Sequence, residues 1–126
     1  MKLNKKDYYF PFDWDEHEIW KIDVPFEEME LRKLEWLLDV DWFGTDENPL
    51  TPNEVLNNPE IDLNHYTRIK DADLSYPIDL GLNPRVKKLV PFDGLHRICK
   101  AKMQGLKMIK CRIIPIEKVR GNTQQF

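Results

Sequence analysis

At 126 residues, with 41% hydrophobic and 33% charged residues, the chain has the length and apolar share of one domain with one core, and reads as a soluble globular protein. The formal net charge of −3 argues against a general electrostatic grip on DNA, which needs many phosphate contacts, though it leaves room for a local basic patch. No run approaches the roughly 20 apolar residues of a membrane span. No apolar signal core follows the basic start at residues 1–6, so the expected compartment is the cytoplasm.

Residues 1–18 carry Tyr8, Tyr9, Phe10, Phe12 and Trp14 with no clear period. They are expected to form an irregular N-terminal arm whose aromatics pack on the domain, the alternative being an arm that binds a partner. The domain itself is expected at 19–116. Trp20-Lys21-Ile22-Asp23-Val24 alternates apolar and polar residues and predicts a half-buried strand ended by Pro25. Phe26, Met29, Glu30, Lys33, Leu34, Leu37 and Leu38 have roughly helical spacing and predict a short helix over 26–38, with Trp36, Trp42 and Phe43 plugging the core from outside that stripe. Thr51-Pro52-Asn53-Glu54 is a helix start with Thr51 as N-cap, Pro52 as first helical residue and Glu54 as the return partner of a capping box; Asn57-Asn58-Pro59 stops it. A second helix is expected from near Asp62 to about Asp73, with Leu63, Tyr66 and Ile69 on one face. Strands at 76–82, with Ile78, Leu80 and Leu82 inward, and at 86–92 should form a hairpin around Asn83-Pro84. A helix over 94–104 should stop at a left-handed Gly105. A last strand at 108–114 should turn Ile109, Cys111 and Ile113 inward and Lys110 and Arg112 outward; 117–126 should be a polar tail, of which Gly121 to Phe126 should fray. Cys99 and Cys111 are expected as reduced core residues. The order β-α-α-α-β-β-α-β predicts an α+β fold, a small mixed β-sheet with packed helices.

The candidate site lies where Leu89-Val90-Pro91-Phe92 runs into Asp93-Gly94-Leu95-His96-Arg97. Strand, tight turn and helix follow one another, so Asp93, His96 and Arg97 crowd the first helical turn. A helix start offers unsatisfied N–H groups and partial positive charge, which suits an anion. Gly94 permits close approach to the backbone, and Arg97 suits two-pronged phosphate recognition. Each residue also has a purely structural reading. Arg97 can bond a carboxylate or backbone carbonyls, and His96 can orient the turn instead of bonding phosphate or exchanging a proton. Asp93 can be the helix cap instead of a Mg²⁺ ligand or a base for a hydroxyl proton. His17, His65 and His96 are far apart in sequence and no zinc-type spacing exists, so no metal site is expected. The C-terminal third is basic and residues 13–62 are acidic, which is either a solvated surface or a patch steering a nucleotide or nucleic acid.

These residues resemble the ParB/sulfiredoxin superfamily. The matching parts are the strand at 89–92, Gly94-Leu95-His96-Arg97, the helix with Ala101, then Gly105 and the strand running to Pro115, with Tyr76-Pro77-Ile78 leading into the hairpin. The resemblance covers about 70–116 well and 20–70 loosely. It implies a turn that binds nucleotide phosphates, as in partitioning proteins that use CTP, sulfiredoxins that use ATP and free-serine kinases that use ADP or ATP. Leu95 stands where sulfiredoxins carry their catalytic cysteine, so that chemistry is not expected. Partitioning proteins also carry a following helix-turn-helix domain, for which this chain has no room. The resemblance thus implies phosphate binding by Gly94, Leu95, His96 and Arg97, with Asp93 and His96 as catalytic groups. The cofactor would be a nucleoside triphosphate or diphosphate with Mg²⁺, in a small-molecule phosphotransferase. Two other readings stay open, a nucleic-acid-binding or nuclease-like accessory protein and a non-catalytic protein-interaction module using the arm at 8–14. Whether the chain is an enzyme is open at this point.

Overall fold

The structure, a computed structural model, describes residues 2–123. Asp15 accepts a hydrogen bond from the His17 N–H and starts helix α1 (Glu16–Trp20), so Trp20 ends a helix and does not begin a strand. The alternation at 20–24 has no neighbouring strand to pair with. Pairing begins at β1 (Glu27–Glu30), and the expected helix over 26–38 is absent. In its place β1 is followed by two 3₁₀ turns, Leu31–Lys33 and Glu35–Asp39. The leucines explain the turns. Leu31, Leu34 and Leu37 are three residues apart, a spacing that lines up on a helix of 3.0 residues per turn, and all three are buried.

Phe43 is buried from the short ribbon of β2 (Phe43–Gly44) and β3 (Pro49–Leu50), as expected of a plug. Helix α2 (Pro52–Asn57) starts with the full capping box. Glu54 N–H donates to Thr51 Oγ1 (3.1 Å), and Thr51 N–H donates to Glu54 Oε1 (2.9 Å). Helix α3 (Leu63–Asp71) is capped by Asp62. Its Ile69 is buried and Tyr66 packs on the core, but Leu63 is exposed.

Strands β4 (Ile78–Asn83) and β5 (Lys88–Asp93) form the hairpin, helix α4 (Leu95–Met103) follows, and then β6 (Met108–Ile113). Helix α4 ends in a Schellman motif, with Gly105 N–H bonded to Lys102 O and Leu106 N–H to Ala101 O, and with Gly105 at φ +71°. The expected polar tail begins as a helix, α5 (Ile116–Thr123), which buries Val119; of the stretch expected to fray, 121–126, residues 124–126 lie outside the described residues.

The result is a small mixed α/β domain with a four-stranded sheet in the order β1-β6-β4-β5. The β4–β6 pair is parallel and the other pairs are antiparallel. The sheet is covered on both faces, which the one-sided alternation did not anticipate. One core holds Ile78, Leu80, Ile98, Cys99, Ile109 and Cys111 with the leucines of the 3₁₀ turns. The other joins Phe10, Phe12, Ile19, Val90, Phe92, Ile114 and Val119. Hence Asp79 and Asn83 are buried while Leu82, expected inward, is 55% exposed. The arm lies on the second face as expected, with Phe10 stacked on Phe92 at 4.2 Å. Burial pushes the Cys99 and Cys111 thiols up to about 12 and about 11, so both are inert fillers of the core. Among the described residues no helix is long and apolar enough to cross a membrane.

Candidate functional site

Gly94 begins α4 in a left-handed conformation, φ +109°. A Cβ at this position would lie 2.6 Å from Ile78 Cγ2 and 3.1 Å from Ile78 Cα. The glycine is therefore required by the backbone turn and by the hairpin packed against it, and not by a ligand on that side. Gly94, not Asp93, is the N-cap, and no side chain caps the helix. Its carbonyl takes the N–H groups of Arg97 (2.9 Å) and Ile98 (3.1 Å), so those of Leu95 and His96 remain without a capping acceptor. The Leu95 side chain packs on the main core, which leaves its N–H as the group it offers to a ligand.

Asp93 Oδ2 accepts a hydrogen bond from Trp20 Nε1 (2.8 Å) and lies 3.9 Å from the Arg97 guanidinium. Arg97 also donates to the Pro77 carbonyl (3.2 Å) and lies over the Tyr76 ring at 5.9 Å. The bond to the Pro77 carbonyl fits the structural reading of Arg97, whose side chain is 21% exposed and lines the recess at the start of α4.

His96 Nε2 is 2.9 Å from His65 Nδ1, and both rings stack nearly parallel to Phe43, at 5.4 and 4.0 Å. Burial first, then the positive charge of Arg68, hold His96 down to about 4, and burial also lowers His65. At neutral pH His96 is an uncharged imidazole. The unfolded chain would titrate near the ordinary value of 6.5, so between 6.5 and about 4 the unfolded state binds more protons. Stability from this group is fully present above pH 6.5 and is lost as pH falls toward 4. Denaturant unfolding at pH 7 and pH 5 should therefore show a smaller loss in His96→Asn than in the parent.

A recess of about 330 Å³ at the start of α4 is lined by Arg68, Arg97 and His96 and by three carboxylates, Asp71, Asp73 and Asp93. An aromatic groove of about 340 Å³ adjoins it between the arm and β5. On the far side of Asp93 and Arg97 lies a larger cleft of about 550 Å³. The floor of that cleft contains a nearly buried ion pair, Asp79 and Arg112, at 2.7 Å. Arg112 also donates to the carbonyls of Ile22 (2.7 Å) and Ile19 (3.0 Å), tying the end of α1 to the sheet.

Asp93, Gly94, Leu95, His96 and Arg97 lie together where β5 passes into α4, as their adjacency in sequence predicts. Adjacency did not point to His65, Arg68, Trp20, Asp79 or Arg112, which come from four other elements or their ends. Only the three-residue spacing of His65 and Arg68 on one helix face hinted that they act together. Three basic residues of the C-terminal third are engaged by the fold. Lys100 donates to Lys70 O and Ala72 O (both 2.7 Å), Lys102 pairs with Glu35, and Arg112 pairs with Asp79.

Compared with protein-family models, with curated proteins and with solved structures, the chain matches none.

Proposed function

We propose that this protein is a ParB/sulfiredoxin-like domain that binds the phosphates of a nucleotide at the start of α4. The observation that carries the reading is the left-handed Gly94, which leaves the helix start without a side-chain cap beside a recess lined by Arg68 and Arg97. Uncapped N–H groups, the helix dipole and two guanidinium groups all favour negative charge. The order of hairpin, Gly-Leu-His-Arg turn, helix, Gly105 and strand supports the family part of the proposal.

Asp71, Asp73 and Asp93 line the same recess and oppose a bare anion. They favour a phosphate that arrives already complexed to Mg²⁺, whose charge they would share. No three His, Cys, Asp or Glu residues among the described ones converge to hold a metal by themselves, so the ion would come with the nucleotide. His96 is neutral in the working range and can accept a hydrogen bond or a proton, and Asp93 is held in place by Trp20; these two are the groups that phosphoryl transfer to a small hydroxyl compound would use. The nucleic-acid reading is less favoured because the net charge is −3 and Lys100, Lys102 and Arg112 of the basic third are held by the fold.

Thermal unfolding with ATP, ADP, CTP and GTP, each with and without Mg²⁺, tests this. A nucleotide at about 100 times its Kd should add about 2.7 kcal/mol and raise the midpoint clearly. The shift should be larger with Mg²⁺ and should vanish in Arg97→Ala and in Arg68→Ala. If no nucleotide moves the parent, or if both variants respond as the parent does, the reading is wrong.

A further inference from the structure

A cleft larger than the phosphate recess has a chemistry of its own. It lies across the Asp93–Arg97 pair from it and is walled by Trp20, Tyr76 and Pro77. Its volume, about 550 Å³, is that of a small-molecule site. Two features set its chemistry. Trp20 is 50% and Tyr76 61% exposed, which is unusual for large aromatics lining one cavity. Both are held in place, Trp20 by its hydrogen bond to Asp93 and Tyr76 beneath the Arg97 guanidinium. Fixed aromatic walls lose little freedom when a flat ring lies against them.

The charges balance. Asp79 and Arg112 neutralise each other on the floor, and Asp93 and Arg97 do so at the boundary with the recess. The cleft therefore offers no net charge to attract an ion. Among the described residues Asp93 Oδ1 has no hydrogen-bond donor, and Arg97 has N–H groups beyond the one given to Pro77. An acceptor and a donor thus sit side by side at the edge of two aromatic walls. That combination matches the edge and faces of an uncharged, planar heterocycle bearing its own donor and acceptor.

We infer that the Trp20–Tyr76 cleft is a binding site for a planar heteroaromatic ring of the nucleobase class. The ring stacks on Trp20 and Tyr76 and pairs its edge with Asp93 and Arg97. Its source is either the base of the nucleotide whose phosphates occupy the recess or a separate molecule. The inference stands on the cleft alone and does not require the phosphate reading.

The test uses nucleosides, which carry no phosphate. Adenosine, guanosine, cytidine and uridine are titrated into the full chain, with binding followed by calorimetry and by quenching of tryptophan fluorescence. At least one should bind, and Trp20→Ala and Tyr76→Ala should each weaken it about fivefold or more, the effect of losing one stacking partner. Trp20→Phe keeps the aromatic face and loses the hydrogen bond, so it should stay within about threefold of the parent. Both residues are half exposed or more, and an unchanged unfolding midpoint confirms that each variant is folded. No binding by any nucleoside, alanine variants that bind as the parent does, or Trp20→Phe failing as badly as Trp20→Ala would overturn the inference. The same titrations with pyrophosphate and with nucleotides separate the sources. A nucleotide that binds more tightly than its nucleoside and is weakened by both Trp20→Ala and Arg68→Ala spans the two sites. A nucleoside whose affinity is unaffected by saturating pyrophosphate, beside a nucleotide that Trp20→Ala leaves untouched, is a separate ligand. Pyrophosphate binding without nucleoside binding would uphold the phosphate site and remove the ring site, so each can fail alone.

Discussion

Arg112→Ala should destabilise the domain by about 3–5 kcal/mol, the range for removing one partner of a buried ion pair. The Asp79 side chain is 3% exposed and that of Arg112 13% exposed, so the pair is largely withdrawn from water although it floors the cleft. The truncation strands the Asp79 carboxylate on the sheet. It also releases the carbonyls of Ile19 and Ile22, which Arg112 holds at 3.0 and 2.7 Å, and so loosens the end of α1. Trp20 is the last residue of that helix and the hydrogen-bond partner of Asp93, so the damage should reach the cleft as well as the core. Urea unfolding at pH 7 measures the loss. A change below about 1 kcal/mol, the usual worth of an exposed pair, would mean that the Asp79–Arg112 contact does not hold α1 on the sheet.

Gly94→Ala should cost about 3 kcal/mol or more, since strained backbone and overpacking each contribute about 1–3 kcal/mol. At φ +109° any side chain is strained, and the new methyl would meet Ile78 at 2.6 Å. Ile78 is itself fully buried and paired with Cys111 on β6, so it has no easy direction in which to yield. Gly105 is the comparison. It also has positive φ, +71°, but a Cβ there has nothing within 4 Å, so Gly105→Ala should cost only the backbone share, about 1–2 kcal/mol. Equal losses at the two glycines would remove the argument from packing against Ile78.

The legible parts of the chain were those governed by local chemistry. Thr51, Pro52 and Glu54 specify the start of α2 within four residues, and Gly105 specifies the end of α4. The hairpin and β6 announce themselves by alternation. The stretch from Trp20 to Asp39 was misread because neighbours distant in sequence decide it. Glu27, Glu28 and Glu30 are poor strand formers by themselves, and become β1 because β6 presents an open edge, with Glu28 opposite Lys110. The leucines at 31, 34 and 37 fit a helical stripe and a 3₁₀ turn equally well in sequence. At the site, the turn 93–97 was visible as one contiguous motif. Its partners were not, because His65 arrives from α3, 31 residues from His96, and Trp20 from α1, 73 residues from Asp93. Of the readings open for Asp93, only capping is removed by the fold: Gly94 is the N-cap, and the Asp93 carboxylate accepts from Trp20 instead.

Titration of the ¹⁵N-labelled chain with the Mg²⁺ complex of ATP, followed at the backbone amides, tests the central claim most directly. Binding at the start of α4 predicts that the amide signals of Leu95 and His96 move most and saturate together, while those of the opposite end of α4, at Gln104 and Gly105, stay in place. A titration that leaves Leu95 and His96 unmoved, or that moves both ends of the helix alike, would contradict a phosphate site at this turn.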